Sequence, residues 1–288
     1  VRYNFLPNKQ LRRHAGRFAL LKKGCAQIAA FCTVLPIAFA SSRTIASMPP
    51  RILIGTAGWN IRRALTDRFP PAGTHLQRYA ARFPTVEINS SFYRPHRTST
   101  YARWANSVPG EFRFSVKMPK QMTHELRLKV PVDIVERFLA EVAGLGQKLG
   151  CLLMQLPPSM SFDPDATTPF LSTLRNRTQT AVVCEPRHAT WFTPQADKLL
   201  LEHRVARVAA DPALVPLAAI PGGSMETVYY RLHGSPRTYY SAYESDYLTQ
   251  LGEKICGTKT DTVWCIFDNT ALGAATENAL ELLARTTP

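Results

Sequence analysis

The chain lacks the signatures of several protein classes, and each absence narrows what it can be. None of its six cysteines stands in a C-x-x-C pair or at a spacing that suits a zinc site. Cys151, Cys184 and Cys265 lie instead inside apolar, β-like runs, where a thiol behaves as a small hydrophobe, so a reduced cytoplasmic protein is the expectation. No low-complexity tract is present, and 45% hydrophobic with 19% charged residues is the balance of a globular chain. No G-x-G-x-x-G or G-x-x-x-x-G-K-[ST] follows an apolar run, which removes support for nucleotide-binding doubly wound sheets. The apolar run from Ala26 to Ala40 is short of the about 20 residues that a membrane helix needs, so no membrane partner is expected.

Acidic residues are missing from one stretch altogether. Residues 1–47 carry Arg2, Lys9, Arg12, Arg13, Arg17, Lys22, Lys23 and Arg43 and no Asp or Glu. Of the formal charge of +14 this stretch supplies eight, which leaves 27 basic against 21 acidic residues, or +6, for the remainder. That balance, with no Lys/Arg run interleaved with aromatics, does not indicate a nucleic-acid groove. Basic residues followed by an apolar run and Ala38-Phe39-Ala40-Ser41 resemble an export signal. Met48, just ahead of the first strand-like run, supports a mis-assigned start instead. On either reading residues 1–47 form an extension outside the fold, and residues 48–288 form the domain.

From Arg51 onward short β-branched or apolar runs alternate with amphipathic stretches, the pattern of βα units around a parallel sheet. Eight strands are expected: 52–56, 85–89, 112–117, 151–155, 181–185, 206–210, 227–232 and 262–267. Helical patterns between them include 75–83, 133–149, 194–203, 245–256 and 272–283. Within 133–149, Ile134, Phe138, Val142 and Leu145 share one stripe, as a core-facing helix requires. The fold class expected is α/β, a single-domain (β/α)8 TIM-type barrel with a helix after every strand.

The strands begin apolar and end polar, and this regularity points to a site. The ends carry Trp59, Glu87 with Asn89 and Tyr93, Lys117 with His124, Gln155, Glu185 with Arg187 and His188, Asp211, Arg231 with His233, and Asp268 with Asn269. Catalytic groups of a (β/α) barrel come from several strand ends on one face. Val86 and Ile88 alternate with Glu87 and Asn89, which puts the polar pair on the inner face. Each carboxylate is equally accounted for by a buried ion pair with Arg187 or Arg231. Trp59, Tyr93, Trp191 and Tyr239 suit either ligand stacking or rim packing. His75, His96 and His203, in helical or loop contexts, read as surface or packing residues.

With these residues in view, the sequence resembles the YecE-like family, also called domain of unknown function 72. The motifs run in order: Gly55 to Trp59 (GTAGW), Glu87 to Arg94 (EINSSFYR), Phe114-x-x-Lys117-x-Pro119 with Thr123-His124, and Gln155 to Pro158. They continue with Glu185-x-Arg187-His188-x-x-Trp191, Arg231 to Gly234, and Phe267-Asp268-Asn269. The resemblance covers roughly residues 51–285 and implies a TIM-type barrel with a polar pocket and no established reaction. The chain departs from the pattern at Asn60 to Leu65, which replaces an aromatic-rich stretch, and at Thr190, where Ser is common.

Three functions fit this ring. The first is an enzyme, a hydrolase or an isomerase, acting on a small polar, sugar-like or phosphorylated substrate. Glu87 and Glu185 would then be a paired acid and base, His188 or His233 a proton shuttle, and Lys117, Arg187 and Arg231 an anion clamp. Trp59, Asn89, Tyr93, His124, Gln155, Asp268 and Asn269 complete its substrate contacts. A divalent metal held by some of Glu87, Glu185, His188, His233 and Asp268 is a variant, against which the three cations compete for the carboxylates. The second is a non-catalytic module for an anionic metabolite or a nucleic-acid end. A purely structural role is the third and is the weakest, because a packed barrel needs no charged rim.

Overall fold

The computed structural model describes residues 49–286, so the expectations for residues 1–47 lie outside the described residues. The chain adopts an α/β fold whose β-branched and apolar runs form two largely parallel sheets. Its strands are β1 (Arg51–Thr56), β2 (Thr85–Ile88), β3 (Arg113–Lys117), β4 (Leu149–Gln155), β5 (Ala181–Glu185), β6 (Val205–Arg207), β7 (Ala209–Asp211), β8 (Gly222–Gly223), β9 (Thr227–Leu232) and β10 (Thr262–Phe267). One sheet has the order β1-β10-β9-β7 and the other β2-β3-β4-β5-β6-β8, parallel throughout except for the short β6–β8 pair.

Alternation along the strands sorts side chains into two cores. Outward-facing Ile54, Val86, Phe114, Leu152, Cys184, Tyr230 and Cys265 pack in the large core under the helices. Inward-facing Leu53, Tyr229, Trp264 and Ile266 from the first sheet meet Cys151, Leu153, Val183 and Ala206 from the second in a smaller core. The inward positions nearer the strand C-termini are charged, and they build the site described below.

The sheets meet along two seams. At one, Ala57 forms a parallel bridge with Glu87, and the Gly58 amide donates to the Glu87 carbonyl at 2.8 Å. Gly55 permits this approach, since a Cβ there would lie 2.2 Å from the Thr85 carbonyl oxygen. At the other, the chain passes from β6 to β7 through Val208, whose amide donates to the Cys184 carbonyl of β5 at 2.8 Å. The single strand expected at 206–210 is thus two, because its first half pairs with β5 and its second with β9.

The helices are α1 (His75–Ala80), α2 (Ser90–Tyr93), α3 (Thr98–Asn106), α4 (Val132–Val142), α5 (Pro164–Arg175), α6 (Pro194–Glu202), α7 (Ser245–Cys256) and α8 (Ala274–Thr286). Local chemistry sets several starts: a Thr74–Gln77 capping box for α1, and Asp163 or Thr193 side-chain caps followed by proline for α5 and α6. Two expectations fail. The helix expected over 133–149 stops at Val142 and continues as a tighter turn, Ala143–Lys148, because Gly146 adopts φ 53° and ψ −135°, which no helix holds. After β7 there is no α-helix but a 3-10 turn, Pro216–Ala219, leading to β8. Among the described residues no helix is long and apolar enough to cross a membrane.

Candidate active site

Three inward carboxylates converge on one guanidinium. Arg231, at the end of β9 and about 1% exposed, donates through Nε and Nη2 to both oxygens of Glu87 on β2, at 3.0 and 2.7 Å. Its Nη1 donates to Glu185 Oε2 at 2.9 Å, and its Nη2 lies 3.1 Å from Asp268 Oδ2. Burying Arg231 disfavours its charge, but Glu87, Asp268 and Glu185 together drive its pKa well above the ordinary arginine value. Beneath it the Tyr229 hydroxyl donates to Glu87 Oε2 at 2.7 Å and lies 2.9 Å from Ser115 Oγ. Neither Tyr229 nor Ser115 is among the residues expected from sequence. Their signal was available: Tyr229, Arg231 and His233 are spaced by two and share one face, as do Ser115 and Lys117.

A second set of contacts stands beside the first. His233 Nδ1 lies 3.1 Å from Asp268 Oδ2, and its Nε2 lies 2.8 Å from both Glu185 Oε1 and Arg187 Nη2. Arg187 Nη2 also reaches Glu185 Oε1 at 2.7 Å. For Glu185, complete burial would raise the pKa, but Arg231, His233 and Arg187 override it and hold the carboxyl well below the ordinary range. Asp268 is lowered in the same way, burial opposing and Arg231 with His233 prevailing. Arg187 and Asp268 reach the surface, their side chains 24% and 12% exposed, whereas Arg231 and Glu87 do not.

Lys117 completes the inner face. Its Nζ sits 4.2 Å from the Phe92 ring centroid, and among the described residues no hydrogen bond or ion pair reaches it. Burial, and next the Arg231 guanidinium, push its pKa down to about 8 against the opposing pull of Glu87, Glu185 and Asp268. The Ser91 hydroxyl donates to the Lys117 carbonyl at 2.7 Å, fixing the end of β3 to α2.

Most of the other expected residues make their contacts apart from this cluster, His124 excepted. His188 caps the 3-10 turn Ala189–Trp191, its Nδ1 accepting from the Thr190 amide at 3.3 Å, and no contact joins it to Glu185 or His233. Asn269 holds a loop, donating to the Ser241 carbonyl at 2.9 Å and to Asn278 Oδ1 at 3.0 Å. Trp59 packs edge-on against Trp104 with centroids 5.1 Å apart, and Trp104 packs on His96, so aromatic packing persists beside Asn60 to Leu65. Tyr93 points outward, 80% exposed. His124 bonds Thr123 through Nδ1 at 2.9 Å and abuts Phe92, and burial with Lys117 and Lys120 nearby lowers its pKa. Asn89 follows β2 at the start of α2, its Oδ1 buried and unpartnered, and Gln155 ends β4 with one long contact of 3.5 Å to the Leu156 carbonyl.

Two expected roles change with this geometry. Arg231, expected as an anion clamp, has its donors bonded to carboxylates and does not reach solvent. Glu87, Glu185 and Asp268, considered as metal ligands, all point at that guanidinium instead, and among the described residues no His, Cys, Asp or Glu group is arranged to hold a metal ion.

Comparison with known proteins decides the family. Residues 53–287 match the sequence profile described as "Protein of unknown function DUF72". The chain belongs to the DUF72 family. UPF0759 protein YunF of Bacillus subtilis is 28% identical over 149 residues, covering 50% of this chain and 53% of its own length. UPF0759 protein YecE of Escherichia coli K12 is 31% identical over 122 residues, 41% of this chain and 43% of that protein. The chain thus spans about half the length of the curated relatives it matches. A DUF72 family crystal structure from Enterococcus faecalis V583 superposes with TM-score 0.69 at 22% identity, covering 82% of this chain and 95% of that one. That likeness shows the DUF72 fold and no activity.

Proposed function

We propose that this DUF72 protein is an enzyme that moves a proton on a small polar or anionic substrate, sugar-like or phosphorylated, with His233 and Glu185 handling the proton. The reading includes a closed ring of eight strands, with β6 and β7 counted as one and β8 left outside, supported by the Ala57–Glu87 bridge at one seam and by the chain's passage through Val208 at the other.

One observation carries the proposal. Glu185 Oε1, His233 Nε2 and Arg187 Nη2 stand within 2.7–2.8 Å of each other. With a proton on Nε2, His233 donates to Glu185 but opposes an Arg187 N–H. Without it, Nε2 accepts from Arg187 but faces a carboxylate oxygen. Neither state satisfies every contact at Nε2, while Asp268 on Nδ1 fixes the ring as the acid of a catalytic dyad does. Arg187, partly exposed, keeps Nη1 for an anionic group, its Nη2 being held by Glu185 and His233. Glu87 serves differently from the acid–base partner expected: it bonds Arg231 and Tyr229 rather than His233, and so holds Arg231 in place.

The test is a screen of sugar phosphates and related esters for hydrolysis or isomerisation, followed by His233→Gln and Glu185→Gln on any substrate found. Each variant is expected to lose about 10²- to 10⁴-fold in kcat, the usual worth of a positioned acid or base. Folded variants with unchanged turnover would remove both residues from the mechanism.

A second reading, capture of a nucleic-acid end, draws on a groove of about 630 Å³ beside the ends of β2 and β3, lined by exposed Tyr93, Arg94, Lys120 and Arg137 together with the acidic Glu125 and Glu141. Single-stranded oligonucleotide affinity that falls steeply between low and moderate salt would favour it.

A further inference from the structure

The acid–base network leaves one group at the site without a task. Lys117 extends inward from the C-terminal end of β3, two positions beyond Ser115, and is half-buried. The other described lysines are engaged or exposed: Lys148 donates to two carbonyls, Lys120 and Lys198 pair with Glu125 and Glu202, Lys254 lies over the Tyr230 ring, and Lys129 and Lys259 stand in solvent. The face of Phe92 beneath Nζ offers no lone pair to fix its protons. Glu185 and Asp268, which would be its natural partners, are already taken by Arg231, Arg187 and His233.

We propose that Lys117 is the site's nucleophilic amine, forming an imine with a small aldehyde or ketone substrate whose neighbouring C–H proton is then moved by His233 and Glu185. This rests on the proton-transfer reading above and names its substrate class. The neutral Nζ adds to the carbonyl carbon, forming a C–N bond as the C=O π pair moves to oxygen, and an N–H proton passes to that oxygen. Loss of water then leaves the C=N bond, which acidifies the adjacent C–H. The base removes that proton and returns it, and hydrolysis restores the amine, so no oxidant or reductant is required.

The electrostatics favour this role. With its pKa near 8, on the order of one Lys117 in ten is unprotonated at pH 7, against roughly one in three thousand for an ordinary lysine. Desolvated lysines beside other cations are the recurrent amine nucleophiles of enzymes. Arg231, whose charge is locked in place by three carboxylates, is the cation here.

The experiment treats the intact protein at pH 7 with glyoxylate or glycolaldehyde and sodium cyanoborohydride, then maps the reduced adducts by peptide mass spectrometry. Lys117 is expected to label at least about tenfold faster than exposed Lys129 and Lys198, a floor set below the gain in free amine because a less basic amine is also less nucleophilic. Labelling at the same rate on all three would overturn the proposal, and the comparison within one protein needs no variant to fold. A second arm follows exchange of the α-protons of hydroxyacetone in deuterium oxide by NMR. Exchange lost in Lys117→Met, together with trapping retained but exchange slowed in His233→Gln, is the expected pattern. Trapping at Lys117 with no effect of His233→Gln on exchange would sink the proton-transfer reading and leave the amine. Uniform trapping with ester turnover still dependent on His233 would sink the amine alone.

Discussion

Arg231 carries more of the site than its position in the chain suggests, since it bonds Glu87, Glu185 and Asp268 at once and is nearly sealed from water. Removing one member of a buried ion network leaves the others unpaired, so Arg231→Met is expected to lower stability by about 3–5 kcal/mol. Tyr229→Phe takes away only the hydroxyl that meets Glu87 and Ser115 and is expected to cost about 1–3 kcal/mol. Urea unfolding checks both, and an Arg231→Met midpoint equal to that of the parent would show the network to be dispensable. The sequence made the polar ring legible at this scale, because period-two spacing alone puts Glu87, Glu185, Arg231 and His233 on inner faces. It did not show which acid takes which base, since that depends on distances across the interior. Hence the sequence suggests an anion clamp at Arg231 and a shuttle at His188, and leaves out that Arg231 bonds three carboxylates and that His188 caps a turn.

At the scale of elements, the approach of β1 to β2 depends on a missing side chain. Gly55→Ala would drive a methyl into the Thr85 carbonyl, and neither strand can yield without disturbing the Ala57–Glu87 bridge. The expected loss is about 1–3 kcal/mol or more, with faster amide exchange at Gly58, whose hydrogen bond spans that seam. Unaltered exchange at Gly58 would mean that the strands adjust freely. Strands β5, β9 and β10 fall where alternation and β-branching predicted, because both faces of each are packed and the pattern is unambiguous. The divided strand was hidden for a related reason: Val205 to Asp211 keeps a continuous pattern, and the change of hydrogen-bonding partner at Val208 leaves no trace in side-chain type. The short α4 was hidden because its apolar stripe continues through Leu145, across the glycine that breaks the helix.

For the whole molecule, the depressed acids set the response to pH. A carboxyl with a lowered folded pKa gives stability that is complete above its unfolded value and is lost as pH falls toward the folded one. For Glu185 and Asp268 the unfolded values are near 4.5 and 3.8. Their contribution should therefore be constant from pH 7 to about 5.5 and decline steadily below about 4.5. Urea midpoints at pH 7, 5.5, 4 and 3 test this, and a flat profile through pH 3 would contradict the network. The cluster also constrains the order in which the chain can close. Glu87 is separated by 142 and 144 positions from the Tyr229 and Arg231 that bond it. At ribosomal speeds of about 5–20 residues per second, Glu87 emerges on the order of ten seconds before its guanidinium exists. Until then Glu87 lacks the guanidinium that bonds both its oxygens, so the interior of the early half stays wet, and the nascent chain is kept from sealing itself before its final third arrives.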